Sequence, residues 1–128
     1  MAQKIAIIED DQAISDMYRI KLDAEGYQVK IAENGKIGLE LIKTFKPDLI
    51  MLDVMMPEMR GDEMLEELRQ TDWGKDIKVI ILTNISEDEV PPRVRQLNVE
   101  KYIVKAYYTP HQVLEIVQQT IAKPQPAN

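Results

Sequence analysis

The chain has 128 residues, 45% of them hydrophobic, which suits one compact domain with a buried core. A net charge of −6 and a pI near 4.8 argue against direct binding to nucleic acid or to an anionic membrane surface. No apolar run approaches the ~20 residues of a membrane span, and the lack of cysteine excludes disulfides and thiolate metal sites, so we expect a cytoplasmic protein.

The first half of the chain alternates between strand-like and helix-like segments. Residues 5–8 form an apolar run that predicts a strand, and apolar residues at helical spacing across 14–22 predict a helix that ends near Gly26. Residues 29–32 predict a second strand, and the helix that follows it stops before Pro47.

The second half continues the same alternation. Leu49–Leu52 is the predicted third strand, and its unbroken apolarity is typical of a strand covered on both faces. A third helix opens after Gly61. Residues 77–82 predict the fourth strand and residues 102–104 a short fifth strand.

Two connections in the second half carry strong local signals. Between the fourth and fifth strands, Pro91 and Pro92 interrupt a helical composition over residues 87–97. The predicted fourth helix therefore either begins at these prolines or follows an irregular turn. After the fifth strand, Thr109 and Gln112 predict a capping box at the start of the last helix.

This alternation of five strands and five helices predicts an α/β fold, a doubly wound parallel sheet with helices on both faces. We expect residues 1–122 to form this one domain, and residues 123–128, which include two prolines, to be a flexible tail or the start of a linker. Functional residues in such sheets gather at the carboxyl ends of the strands.

Polar side chains that could take part in chemistry stand at the ends of four of the five predicted strands or just beyond them. Glu9 and Asp10 follow the first strand and Asp53 follows the third. Because an unpaired buried carboxylate is costly, an acidic cluster at neighbouring strand ends indicates a hard divalent cation with oxygen ligands. Thr83 and Lys105 follow the fourth and fifth strands, where a hydroxyl and an ammonium could bind a phosphoryl group held near a carboxylate nucleophile.

The chain resembles the receiver domains of the two-component response regulators over about residues 4–122. The resemblance rests on residues that match the family in order and spacing: Glu9, Asp10, Asp53, Met56, Pro57, Gly61, Thr83, Tyr102 and Lys105. It implies a flavodoxin-like, three-layer sandwich. It also implies a phosphoacceptor in a phosphorelay, which is a signalling component and not an enzyme that turns over a substrate.

The resemblance implies a magnesium site. Asp10 and Asp53 would bind Mg²⁺ directly, Glu9 would assist through water, and the backbone carbonyl of Met55 would be a further ligand. Asp11 is also acidic, but it falls one position past the matching pair. We expect Asp11 to cap the first helix or to supply charge to its first turn.

The resemblance also implies how the phosphoryl group is accepted and sensed. Asp53 would be phosphorylated, and Lys105 would pair with the phosphoryl oxygens. Thr83 would be the switch hydroxyl that moves toward the phosphoryl group, and the rotamer of Tyr102 would change with it. A sensor histidine kinase or phosphotransfer protein would supply the phosphoryl group, and a downstream output protein would respond.

Some positions depart from the family pattern. Ala106 follows Lys105 where proline is usual, so we expect a trans Lys105–Ala106 bond, because cis costs ~2.5–4 kcal/mol before a non-proline residue. With the unusual Pro91-Pro92 pair, this predicts a monomer before phosphorylation. Met55 and Ile85 are apolar at positions that govern water access in the family, which predicts slow hydrolysis of the phosphoryl group.

Three alternatives remain to be weighed. A degenerate receiver that binds partners without phosphorylation stays open, because Ala106 and the large Asn84 after Thr83 are unusual. A dehalogenase-like phosphatase would need a second acid where Met55 stands. A nucleotide-binding flavodoxin-like protein would need a glycine-rich loop after the first strand, which the sequence lacks.

Overall fold

Five parallel strands form one sheet, and their bounds lie within one residue of those predicted. The computed structural model describes residues 2–55, 60–84, 89–90 and 92–122, without the side chains of Arg93 and Arg95. The strands are β1 (Lys4–Ile8), β2 (Gln28–Ala32), β3 (Leu49–Leu52), β4 (Lys78–Thr83) and β5 (Lys101–Val104). Their order across the sheet is β2-β1-β3-β4-β5, so β1 and β3 are neighbours in its centre.

Helices cover both faces of the sheet, as predicted. They are α1 (Gln12–Ala24), α2 (Gly35–Phe45), α3 (Gly61–Arg69) and α4 (Pro110–Ala122). One core cluster joins α2 and α3 to one face of the sheet, and a second joins α1 and α4 to the other face. None of the described helices has the length and apolarity needed to cross a bilayer.

Polar residues define the starts of the helices. The Asp11 side chain accepts a hydrogen bond from the backbone N–H of Ile14 at 3.2 Å, which confirms Asp11 as the N-cap of α1. At the start of α4, Gln112 N–H donates to Thr109 Oγ1 at 3.1 Å, and Thr109 N–H donates to Gln112 Oε1 at 2.8 Å. The predicted capping box is therefore present.

The prediction of a fifth α-helix, between β4 and β5, was wrong for the part of that connection that the structure describes. That part is a five-residue 3-10 helix, Pro92–Gln96. Pro91 and Pro92 supply no N–H donors, so a helix can only begin at them. Asn98 has a left-handed φ of 60°, which ends the turn shortly afterwards. Residues 85–88 and Pro91 lie outside the described residues.

The connection from β5 to α4 follows the prediction for its backbone. No peptide bond among the described residues is cis, so the Lys105–Ala106 bond is trans, as expected. Lys105–Tyr107 forms a short 3-10 helix, and the Tyr107 side chain is 75% exposed. The tail over residues 123–128 lies outside the described residues.

Lys78 fastens the end of α4 to the start of β4. Its side chain is buried, and Nζ donates to the carbonyl oxygens of Thr120 at 3.0 Å and Ile121 at 3.4 Å. These carbonyls belong to the last turn of the helix, which has no intrahelical donors for them. A positive charge there also interacts favourably with the helix dipole.

Arg69, at the end of α3, binds two loops through backbone carbonyls only, among the described contacts. Its nitrogens donate to the carbonyls before β4, of Gly74 at 2.9 Å, Lys75 at 3.2 Å and Ile77 at 2.7 Å, and to those before β5, of Leu97 at 2.7 Å and Asn98 at 2.9 Å. Burial lowers the pKa of Arg69, while the nearby Asp76 and Glu100 act against that decrease. One guanidinium thus fixes the approach to both β4 and β5.

We expect Arg69→Gln to lower the free energy of unfolding by about 3 kcal/mol, because several carbonyls lose a charge-assisted donor at once. Urea unfolding measures this change. Arg19→Gln is the matched control, since Arg19 makes an exposed ion pair with Asp16 and its loss should cost less than about 0.5 kcal/mol. Equal effects of the two substitutions would show that Arg69 does not have this role.

Candidate functional site

The pairing of β1 with its neighbours brings two carboxylates side by side. Glu9 N–H donates to the carbonyl of Ala32 at 3.0 Å, and Asp53 N–H donates to the carbonyl of Ile8 at 3.0 Å. Both residues therefore continue the strand hydrogen bonding one position past the strand ends. Their side chains are buried, with Glu9 4% and Asp53 6% exposed.

Asp10 completes an acidic cluster with these two residues. Carboxylate oxygens of Glu9, Asp10 and Asp53 all lie within 4.8 Å of one another, and Asp10 is exposed to solvent. Three carboxylates at this spacing repel one another, and oxygen donors of this kind suit a hard divalent cation. The cluster could therefore hold a metal ion, and its donor set fits the predicted magnesium.

The pKa of Glu9 reflects its burial inside the acidic cluster. Burial raises the pKa of Glu9 from 4.5 to about 7, although the hydrogen bond from Lys105 lowers it, and repulsion from Asp53 adds to the rise. The backbone N–H of Asp11 also donates to Glu9 Oε2 at 3.1 Å. A bound cation would relieve the same repulsion that favours the protonated form of Glu9.

Asp53 is held by two donors at the floor of a cleft. The backbone N–H of Met55 donates to Asp53 Oδ1 at 3.0 Å, and Lys105 Nζ lies 3.5 Å from Asp53 Oδ2. The cleft has a volume of about 200 Å³, and its walls include the acidic cluster, Met55, Asn84 and Lys105. A carboxylate so placed is oriented by the protein and still faces a space that a small ligand can enter.

The shorter of the two described ion-pair contacts of Lys105 is with Glu9. Its ammonium group donates to Glu9 Oε1, and the longer contact of 3.5 Å joins it to Asp53. Only 8% of the Lys105 side chain is exposed. The sequence interpretation paired this lysine with phosphoryl oxygens on Asp53, and in the structure the ammonium bridges Glu9 and Asp53.

Gly61 is required where α3 begins, because its backbone passes against Asp53. A Cβ atom at this position would lie 2.1 Å from the carbonyl oxygen of Asp53, which no side chain could accommodate. Its N–H donates to the carbonyl of Val54 at 3.0 Å. The start of α3 is thereby fixed on the end of β3. Met56 and Pro57, which the resemblance also used, lie outside the described residues.

Thr83 and Tyr102 lie on the strands beside the cleft. Thr83 is the last residue of β4 and is 2% exposed, and the next residue, Asn84, lines the cleft. Tyr102 lies on β5 opposite Ile81 of β4, with its hydroxyl oxygen buried. Their positions allow the switch roles that the resemblance implies, and those roles stay predictions. Ile85 lies outside the described residues.

The sequence argument passed over Arg60 and Asp62, and Arg60 contacts Met55, which lines the cleft. Arg60 stands directly before α3, with Nε 3.1 Å from Asp62 Oδ1 and Nη2 3.9 Å from the sulfur of Met55. Asp62 is 2% exposed. The sequence did hold a signal, because Arg60 occupies an N-cap position, where Ser, Thr, Asp or Asn is preferred, and makes no side-chain cap.

Comparison with known sequences points to one family. Residues 5–118 match the family model for the response regulator receiver domain. The response regulator MprA of Mycolicibacterium vanbaalenii is 36% identical over 109 residues, which cover 84% of this chain and 46% of that protein. The chain thus spans about half the length of the curated relatives that it matches.

Solved structures match nearly the whole chain. The response regulator receiver domain protein (CheY-like) of Methanospirillum hungatei has a TM-score of 0.86 and 29% identity, covering 94% of both chains. The Mn²⁺-bound form of the response regulator Rcp1 has a TM-score of 0.77 and 25% identity, covering 98% of this chain and 99% of that one. The flavodoxin-like, CheY-like fold is therefore confirmed, with four α-helices among the described residues where five were predicted.

We expect Mg²⁺ to stabilise the folded protein, because the acidic cluster exists only in that state. At ten times its Kd, the ion should add about 1.4 kcal/mol, which is roughly 5 °C in melting temperature. Asp10→Asn should remove most of this response. Asp16→Asn is the matched control, since Asp16 pairs with Arg19 outside the cluster. A full response in Asp10→Asn would contradict the assignment of this ligand.

Proposed function

This chain belongs to the response regulator receiver domain family, and on that premise we propose that it accepts a phosphoryl group from a phosphohistidine onto Asp53. The observation that carries the proposal is the position of this carboxylate in the cleft. Donors from Met55 and Lys105 orient Asp53, and two further acids stand beside it. A nucleophile, a cation and a metal-binding set in one small space are what phosphoryl transfer needs.

The transfer moves one phosphoryl group between two nucleophiles. An oxygen of Asp53 attacks phosphorus, the new O–P bond forms as the P–N bond breaks, and the imidazole nitrogen leaves with the electron pair. The N–H of Met55 holds the carboxylate in a fixed orientation for this attack. Lys105, which bridges Glu9 and Asp53, can turn its ammonium toward the phosphoryl oxygens.

The residues of the acidic cluster suit Mg²⁺ as the cofactor. Asp10 and Asp53 would be direct ligands, with Glu9 acting through water and Met55 offering its backbone carbonyl. The ion, when bound, would neutralise charge on the phosphoryl oxygens. Support comes from the spacing of the three carboxylates and from the solved structure of Rcp1, which is a Mn²⁺-bound form.

The output of such a domain is a shift between two conformations. A phosphoryl group on Asp53 would draw the hydroxyl of Thr83 toward it, and Tyr102 would change its rotamer as Thr83 moves. Both lie on the two strands at one side of the sheet, so the change would spread through β4 and β5. The domain acts as a switch and not as a turnover enzyme.

The partners follow from this role. A sensor histidine kinase or phosphotransfer protein supplies the phosphoryl group, and a downstream output protein or domain responds to the switched form. We propose a cytoplasmic protein that contacts neither membrane nor nucleic acid through these residues. A degenerate receiver that works without phosphorylation has less support, because the acidic cluster and Lys105 all line the cleft.

We expect one phosphate to be added when the protein is incubated with acetyl phosphate and Mg²⁺, as measured by intact mass. Asp53→Asn should abolish the addition, because the nucleophile is lost. Asp72→Asn removes an exposed carboxylate outside the cleft and should leave the addition unchanged. A phosphate that persists in Asp53→Asn, or none in the unmodified protein, would refute the proposal.

We expect the unphosphorylated protein to be a monomer of 14.8 kDa by light scattering. In the part of the connection between β4 and β5 that the structure describes, a 3-10 helix, Pro92–Gln96, stands where an α-helix was predicted. We expect this change to alter the surface on this side of the sheet and to disfavour a dimer. A stable dimer without phosphate would contradict this expectation.

A further inference from the structure

Arg60 is tied by its backbone to the strand end that carries Asp53. The next residue, Gly61, donates its N–H to Val54 and packs directly against the Asp53 carbonyl. The carbonyl of Arg60 accepts the N–H of Met64 at 3.0 Å, within the first turn of α3. Arg60 therefore cannot shift away from Asp53 without disturbing both β3 and α3.

A buried acid directs the side chain of Arg60. Its Nε lies 3.1 Å from Asp62 Oδ1, and the Asp62 side chain is only 3% exposed while that of Arg60 is 45% exposed. A hydrogen bond from a guanidinium to a carboxylate is charge-assisted and stronger than a neutral one, and the burial of Asp62 keeps its carboxylate in place. Asp62 thus holds the planar guanidinium in one orientation at the surface.

The outer end of the guanidinium rests on Met55. Nη2 of Arg60 lies 3.9 Å from the Met55 sulfur. A thioether is a weak acceptor, so the contact contributes little stability. It does limit the positions of the Met55 side chain, which has three rotatable bonds. Met55 lines the cleft, donates its N–H to Asp53 and is 48% exposed, so a partly exposed apolar side chain lies beside the carboxylate.

We propose that Arg60 is a positioning residue, which together with Asp62 holds Met55 as a shield that slows hydrolysis of the phosphoryl group on Asp53. The inference rests on the proposed phosphorylation of that residue. Hydrolysis forms a bond from a water oxygen to phosphorus and breaks the bond from phosphorus to the Asp53 oxygen. The electron pair stays on the carboxylate, and the protons of water pass to the phosphate and to solvent.

Met55 would slow hydrolysis because its side chain has no group that can activate the attacking water. Its thioether and methylene groups neither orient a water for in-line attack nor take its proton, and their volume excludes water from the face of the phosphoryl group. Without the guanidinium, the same side chain can turn toward solvent and open that face. The rate of hydrolysis therefore depends on Arg60, although Arg60 does not need to contact the phosphoryl group.

The lifetime of the phosphoryl group tests this inference. The protein is phosphorylated with acetyl phosphate and Mg²⁺, the donor is removed, and loss of phosphate is followed by intact mass. We expect Arg60→Ala to shorten the lifetime at least about threefold. The lifetime in Arg60→Lys should lie between those of the unmodified protein and Arg60→Ala, because an ammonium cannot contact both Asp62 and Met55 as the forked guanidinium does. Arg19→Ala, on the far exposed part of α1, should have no effect.

A double-mutant cycle separates positioning from direct contact or general loosening. Met55→Ala should itself shorten the lifetime, and adding Arg60→Ala should then change it no further. Additive effects would overturn the action through Met55. The melting temperature of each unphosphorylated variant is the structural readout, and if Arg60→Ala does not fold, Arg60→Gln replaces it.

The outcomes distinguish the two proposals. No phosphate on the unmodified protein overturns the proposed function and with it this inference. Phosphorylation with a lifetime that Arg60→Ala leaves unchanged overturns this inference alone. Phosphorylation with a shortened lifetime, an unchanged melting temperature and no further change in the Met55→Ala background supports the positioning role of Arg60.

Discussion

Repulsion among three carboxylates at the ends of β1 and β3 is the constraint on which the site depends. The register of these two strands places Glu9 next to Asp53, and burial raises the pKa of Glu9 to about 7. Lys105, which directly follows β5, offsets part of that repulsion from across the sheet. Two of the three acids, Glu9 and Asp53, are buried, which costs stability unless their charge is balanced, and the cluster is able to hold a metal ion that would balance it.

The same residues explain why a cation and a phosphoryl group would be bound together. The Lys105 ammonium contacts both Glu9 and Asp53. A phosphoryl group on Asp53 would change which of these two residues the ammonium prefers. A divalent ion on the acids would release Lys105 for the anion. Charge balance in the cleft would thus link binding of the divalent ion to the position of the Lys105 side chain.

Much of the fold was predictable from the sequence, because unbroken apolar runs such as Leu49–Leu52 have few alternatives in an alternating chain. The 3-10 helix Pro92–Gln96 was not, since local composition there favours an α-helix, whereas the described turn ends at a left-handed Asn98 soon after the prolines. The strand-end acids were predictable as a cluster. The contacts of Arg69 were not, because its partners are backbone carbonyls, which every residue has. Those of Arg60 were not, because the sequence does not show which way its side chain turns.

Lys78 has a consequence for the modularity of the domain. Helix ends normally need capping groups from the residues that follow, and here a lysine from within the sheet satisfies carbonyls in the last turn of α4. The carbonyls of Thr120 and Ile121 therefore need no donor from the sequence that comes next. A change in that sequence should disturb the end of α4 less than it would in a helix capped only by the residues that follow.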